Sequence, residues 1–174
     1  MSDEPKVPGA KAAFLIALIG FGAIWLLRLC IVWLAPAEYF VSITPDDAYY
    51  YFGIARTIAE GQGSTFDGIT PTNGYHPLWL MVNAAVALVL GIDKDTGGLL
   101  FPKLMMTIQL FIGGIAGGLL AIKLHRKLGR IDAPALVLAG FATPYVVYAM
   151  TDGMESGLVL LFLAAYYVCL FHFK

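Results

Sequence analysis

Pro77-Leu-Trp-Leu-Met-Val-Asn-Ala-Ala-Val-Ala-Leu-Val-Leu-Gly91 is the stretch on which the fold turns. Proline opens it and glycine closes it, as they do a helix, and almost every residue between is apolar. It has 15 residues, whereas a helix needs roughly 20 to cross a bilayer. If it crossed, the chain beyond it would emerge on the opposite side. If it only dips into the membrane or lies along its surface, residues 35–98 all stay on one side.

The basic residues favour the second arrangement, because cytoplasmic loops carry an excess of Lys and Arg. The densest basic cluster is Lys123, Arg126, Lys127 and Arg130, and Lys6 and Lys11 precede the first long apolar run. Both groups fall inside only if 77–91 does not cross. The loop 35–98 is then wholly external and holds seven acids against Arg56 and Lys94. The apolar runs 12–34, 99–122, 133–150 and 156–173 supply the spans. The run 12–34 has no small-residue cleavage site at its end, so it reads as a retained first span rather than a signal peptide. The expected fold is an all-α integral membrane bundle of about four transmembrane helices. To these are added a short embedded helix at 77–91 and an interfacial helix at 45–60 in the external loop. It forms one membrane module over 1–174, in the plasma membrane, with a cytoplasmic N-terminus and the acidic loop outside.

Composition agrees with a lipid solvent. The chain is 59% hydrophobic and only 13% charged, against about 25% charged in soluble domains, and its mean hydropathy is +0.77. A net charge of −1 argues against a nucleic-acid partner, which demands a basic face. Cys30 and Cys169 sit in apolar runs near opposite membrane faces and read as packing residues, not a disulfide. Gly113-Gly114-Ile-Ala-Gly117-Gly118 carries two overlapping small-xxx-small spacings, which let helices approach closely in lipid. Pro102 and Asp132-Ala133-Pro134 suit helix starts, and Pro144 bends or loosens the third span near its outer end.

Thr44-Pro45-Asp46-Asp47-Ala48-Tyr49-Tyr50-Tyr51-Phe52 reads two ways. As a helix start, Thr44 caps, Pro45 takes the first position and Asp47 completes a capping box. That helix would stop at Gly61, with Ala48, Phe52, Ala55, Ile58 and Ala59 on one apolar face. As a site, paired carboxylates beside a membrane ligate a hard divalent cation, or one of them takes a proton from an acceptor hydroxyl. Asp46 is the first choice for that base. A cation or Arg56 would neutralise a phosphate leaving group.

The following stretch, Gly61-Gln-Gly-Ser-Thr-Phe-Asp-Gly-Ile-Thr-Pro-Thr-Asn-Gly-Tyr-His76, is rich in turn formers. Asn73-Gly74 reads as a tight turn that presents Tyr75 and His76, although His76 also suits a headgroup anchor for the embedded helix. Thr151-Asp152-Gly153-Met154-Glu155-Ser156 places two more carboxylates at a membrane boundary, either as site acids or as plain helix-start acids. Arg28 lies six residues before the end of the first span. It either snorkels or reaches a lipid phosphate or the acidic loop.

The order first span, Asp46-Asp47 with aromatics, Ile54-Ala55-Arg56 through Glu60-Gly61-Gln62-Gly63, then Asn73-Gly74-Tyr75-His76-Pro77-Leu78-Trp79 resembles the C-type superfamily of polytopic membrane glycosyltransferases. That superfamily includes protein mannosyltransferases, aminoarabinose transferases and oligosaccharyltransferase catalytic subunits. The resemblance implies a polyprenyl-phosphate-linked sugar as donor and glycosylation of an acceptor on the outer face, in the cell envelope. It implies Asp46 and Asp47 as catalytic acids and Asp152 or Glu155 as the second acidic position. Arg56, Asn73, Tyr75, His76 and Asp152 would bind substrate. Some members use a divalent cation, and magnesium or manganese would then lie on Asp47 and Glu155. Members carry many more spans than this chain, which reads as an N-terminal module, a truncated product or one half of a split enzyme completed by a further membrane chain. The alternatives are a transporter or flippase subunit for a lipid carrier, and a non-catalytic assembly subunit paired through its glycine-rich span.

Overall fold

The computed structural model describes residues 9–93 and 95–170; Lys6, Lys94 and residues 171–173 of the last apolar run lie outside the described residues. The regular structure among the described residues is helical, in the order α1 (Ala10–Leu34), α2 (Ala37–Ile43), α3 (Asp46–Ala59), α4 (Pro77–Leu90), α5 (Leu100–Leu128), α6 (Asp132–Phe141), α7 (Pro144–Ala149) and α8 (Ser156–Leu170). Two of them, α1 and α5, are long and apolar enough to cross a membrane. At 1.5 Å rise per residue, the 14 residues of α4 extend only about 21 Å, short of a hydrocarbon core of about 30 Å.

Two local features depart from the sequence expectation. The stretch 133–150 is not one helix but α6 and α7, parted at Ala142-Thr143. Pro144 has no N–H to give and holds Thr143 in an extended conformation at ψ 142°. The helix α2 is also unforeseen, and it removes the expected capping box. Thr44 closes α2 by donating its hydroxyl to the Phe40 carbonyl at 2.8 Å, so α3 begins after Pro45 with no side-chain cap. At its other end α3 stops as expected, with Gly61 at φ 77°.

The helix α5 is the hub, packing on α1, α6 and α8. Trp33 donates to Thr107 at 3.0 Å, and Trp25 lies against Gly113 and Gly114, so α1 and α5 run antiparallel. Gly157 sits on Gln109 while Ala164 clusters with Ala116, so α8 runs parallel to α5. The connection 35–98 therefore leaves α1 and returns to α5 at one end of the bundle. The basic last turn of α5, with Arg126 and Lys127, lies at the other end. The glycine stripe is used inside the chain. A Cβ at Gly117 would lie 3.0 Å from the Phe141 ring, and Gly113 faces Met150 and Trp25. Cys30 and Cys169 are free thiols.

At the end that carries 35–98, α3 and α4 form a cap over the first turns of α5. Ala48, Tyr51, Phe52, Ile54 and Ala55 of α3 are buried with Trp79, Leu80, Ala84 and Ala87 of α4 and with Phe101 and Met105 of α5. The expected apolar face of α3 thus meets protein. The opposite face of α4, with Leu78, Met81, Leu88 and Val89, is exposed and still apolar.

Candidate functional site

A cleft of about 340 Å³ opens at the edge of this cap, lined by Asp47, Tyr50, Tyr51, Gly74, Tyr75, His76, Met154 and Glu155. Its walls come from the start of α3, the segment before α4 and the turn before α8. Asp47 and Tyr51 stand four residues apart and so share a helix face.

A ring of hydrogen bonds joins the three elements. The Tyr51 hydroxyl donates to Glu155 Oε2 at 2.9 Å and accepts the backbone N–H of His76 at 2.9 Å. The imidazole Nε2 of His76 meets Glu155 Oε1 at 3.0 Å. Burial pushes the Tyr51 phenol up to about 12, the His76 N–H works against that, and the Glu155 and Asp47 carboxylates add to it. At neutral pH the phenol is a fixed donor and Glu155 its acceptor. The Asp47 carboxylate is exposed and has no hydrogen-bond partner among the described residues.

The loop from α3 to α4 is closed by its own polar groups. Ser64 donates to the Thr72 carbonyl at 2.6 Å and pairs with the Tyr75 hydroxyl at 2.6 Å, which holds Tyr75 at the cleft wall. Asp67 accepts the N–H groups of Ile69 and Thr70, and these hold its carboxyl well below the usual range. Asn73-Gly74 is not the tight turn expected. Gly74 does not take a positive φ, and no turn forms between the anchors at Thr72 and Tyr75. Phe66 seats on Gly53, where a Cβ would come within 2.6 Å of the ring.

The structure brings Asp47, Tyr75, His76 and Glu155 together and leaves the other expected site residues outside the cleft wall. Asp46 is exposed and accepts the N–H of Asp47 at 3.0 Å. Arg56 donates to the Gly98 carbonyl at 2.9 Å and lies over the Phe101 ring. Asn73 is exposed and makes no side-chain bond among the described residues. Asp152 is buried and accepts from Gln109 Nε2, the Met154 N–H and the Ser156 hydroxyl. Arg28 reaches the second acidic turn, donating from Nε to Thr151 Oγ1 at 2.6 Å with its guanidinium over Tyr148.

Tyr51 and Gln109 were not foreseen. The i,i+4 spacing from Asp47 pointed to the first. A lone amide inside an apolar run pointed to the second. Among the described residues no three His, Cys, Asp or Glu side chains gather as a metal site. Asp47 and Glu155 across one cleft still suit a hard cation of the kind held by one or two carboxylates together with substrate phosphates. Comparison of the chain with protein-family models, with curated proteins and with solved structures returns no match to any of them.

Proposed function

We propose that this chain is the N-terminal membrane module of a glycosyltransferase that moves a sugar from a polyprenyl-phosphate donor to an acceptor on the outer face of the membrane. The observation that carries the reading is the meeting of Asp47 and Glu155, from two distant loops, in one cleft with Tyr75 and His76. Glycosyl transfer needs a base for the acceptor hydroxyl at the place where the sugar's anomeric carbon is exposed. Asp47, unpartnered and open to the cleft, suits that role better than Asp46, whose carboxylate accepts the backbone N–H of Asp47. Tyrosine rings on the walls suit the faces of a sugar.

The same reading takes α6–α7 and α8 as two further crossings beside α1 and α5, with α4 embedded in the outer leaflet and the N-terminus cytoplasmic. The exposed apolar face of α4 and the basic end of α5 opposite the cleft support it. Arg56 is engaged elsewhere, and the cleft wall holds no Lys or Arg. The charge of the leaving phosphate would then fall to a magnesium or manganese ion, which Asp47 would hold while also serving as base and which Glu155 would hold once released from His76; the ion would supply electrostatic stabilisation.

The test is transfer in native membranes carrying the full chain. Polyprenyl-phosphate donors with labelled hexoses or pentoses are supplied with envelope acceptors, and release of label from the lipid is followed. Wild type is expected to transfer one of them and Asp47→Asn is expected to fail. Donors left intact across the whole panel would refute the reading. Transbilayer movement of an intact donor would favour the flippase alternative.

A further inference from the structure

We infer that Gln109 is the positioning residue of this cleft: its buried amide in α5 fixes the turn that delivers Glu155 to Tyr51 and His76. The side chain is fully buried, and both N–H donors and the carbonyl oxygen of its amide are used. Nε2 donates to the Ala149 carbonyl at 2.8 Å and to Asp152 Oδ1 at 2.7 Å. Oε1 accepts the Gly153 N–H at 3.0 Å.

Asp152 passes the constraint on. Its Oδ1 also accepts the Met154 N–H at 2.8 Å and its Oδ2 the Ser156 hydroxyl at 2.8 Å. Glu155 lies between those two anchored residues. The first turn of α8 is seated on the same residue, because a Cβ at Gly157 would lie 2.9 Å from Gln109 Cγ and 3.0 Å from its carbonyl oxygen. From the other side, Trp79 of α4 donates to the Gly153 carbonyl at 2.8 Å.

An amide and a carboxylate in an apolar bundle are costly unless paired. Their mutual satisfaction therefore selects one register of the 149–156 turn. The outer ion pair of Glu155, to a His76 side chain that is 70% exposed, is too open to water to select it, and the Tyr51 bond fixes one carboxylate oxygen without fixing the turn behind it. Gln109 does not line the cleft, so it acts only through the turn.

The test has a geometric half and a kinetic half, and only the kinetic half rests on the transferase reading. In a full chain with Cys30→Ser and Cys169→Ser, His76→Cys and Glu155→Cys are introduced together and a short bismaleimide is applied in membranes. Both side-chain bonds of Glu155, to Tyr51 and to His76, are then gone, so the intramolecular crosslink reports what Gln109 holds. Gln109→Leu, which an apolar helix accommodates, is expected to lower the yield several-fold. Gln109→Asn, one methylene too short to reach both partners, is the second variant should the first not insert. In a chain with an intact cleft, Gln109→Leu is expected to lower kcat about 10²-fold, the cost of a displacement of about 1 Å, while KM stays nearly fixed. An undiminished crosslink in an inserted variant overturns the positioning role, even if thermal stability falls. A wild type without transfer overturns the transferase reading, and the crosslink then decides the role of Gln109 alone.

Discussion

Replacing Gly153 by Ala strains the turn in two ways that can be sized. Its φ is +80°, in the left-handed region, where an L-residue pays about 1–2 kcal/mol. The new methyl would also lie 2.8 Å from Ala48 Cβ and 2.9 Å from Phe52 Cζ. Neither atom is the loose end of a flexible chain, since Ala48 and Phe52 are buried in the cap, and overpacking of this kind costs about 1–3 kcal/mol. The sum is about 2–5 kcal/mol. With a scaling of about 2–4 °C per kcal/mol for chains of this size, Gly153→Ala should melt about 4–20 °C below wild type in detergent micelles. Gly118→Ala is the internal control. It sits in mid-helix with nothing within 4 Å of the added methyl, and helix propensity favours Ala there by about 0.5–1 kcal/mol. Equal melting of Gly153→Ala and Gly118→Ala would refute the packing of the 152–155 turn on α3.

Asp47→Asn is expected to reduce transfer at least 10²-fold while donor retention in a lipid-binding assay is unchanged. With Cys30 and Cys169 replaced by Ser, Ile69→Cys should react with an impermeant maleimide on intact cells, whereas Arg126→Cys should react only after permeabilisation. The reverse pattern would invert the proposed orientation. Tyr51 contributes a pH-dependent stability. Its native pKa lies above the ordinary phenol value of about 10, so the contribution is fully present below pH 10 and is lost as the pH rises towards about 12. Melting temperatures across that window should fall more steeply in wild type than in Tyr51→Phe.

Helix geometry explains which site residues could be read from the chain and which could not. Arg56 follows Asp47 by nine residues, about two and a half turns, and so faces the opposite side of α3. A list of polar residues in one loop cannot register that rotation. Tyr51, one turn from Asp47, was within reach of the same arithmetic. Punctuation by Pro77, Gly91 and Gly61 located the ends of α3 and α4, since each imposes a local backbone state. The boundary of α2 had no such mark, because Thr44 serves equally as the end of one helix or the cap of the next. Asp152 and Glu155 stand three residues apart at a helix start with the same chemistry in sequence. Only the tertiary position of Gln109 separates the buried acid from the one in the cleft. The division of 133–150 was foreshadowed by Pro144 as a bend and is a full break, with Thr143 turning its hydroxyl back to the Gly140 carbonyl at 2.8 Å.

The parallel pairing of α5 with α8 also sets an order of events during synthesis. Gln109 is made and inserted well before Ala149, Asp152 and Gly153 exist to receive its amide. At translation rates of about 5–20 residues per second, the wait is about 2–9 s. During that interval an uncompensated amide sits in the apolar helix on which α6 and α8 must pack, and α3 and α4 lack the turn that closes their cap. The cleft therefore cannot exist on a nascent chain until the 149–156 turn and the first turn of α8 have been made, and whatever chemistry it carries is withheld until the scaffold around it is complete.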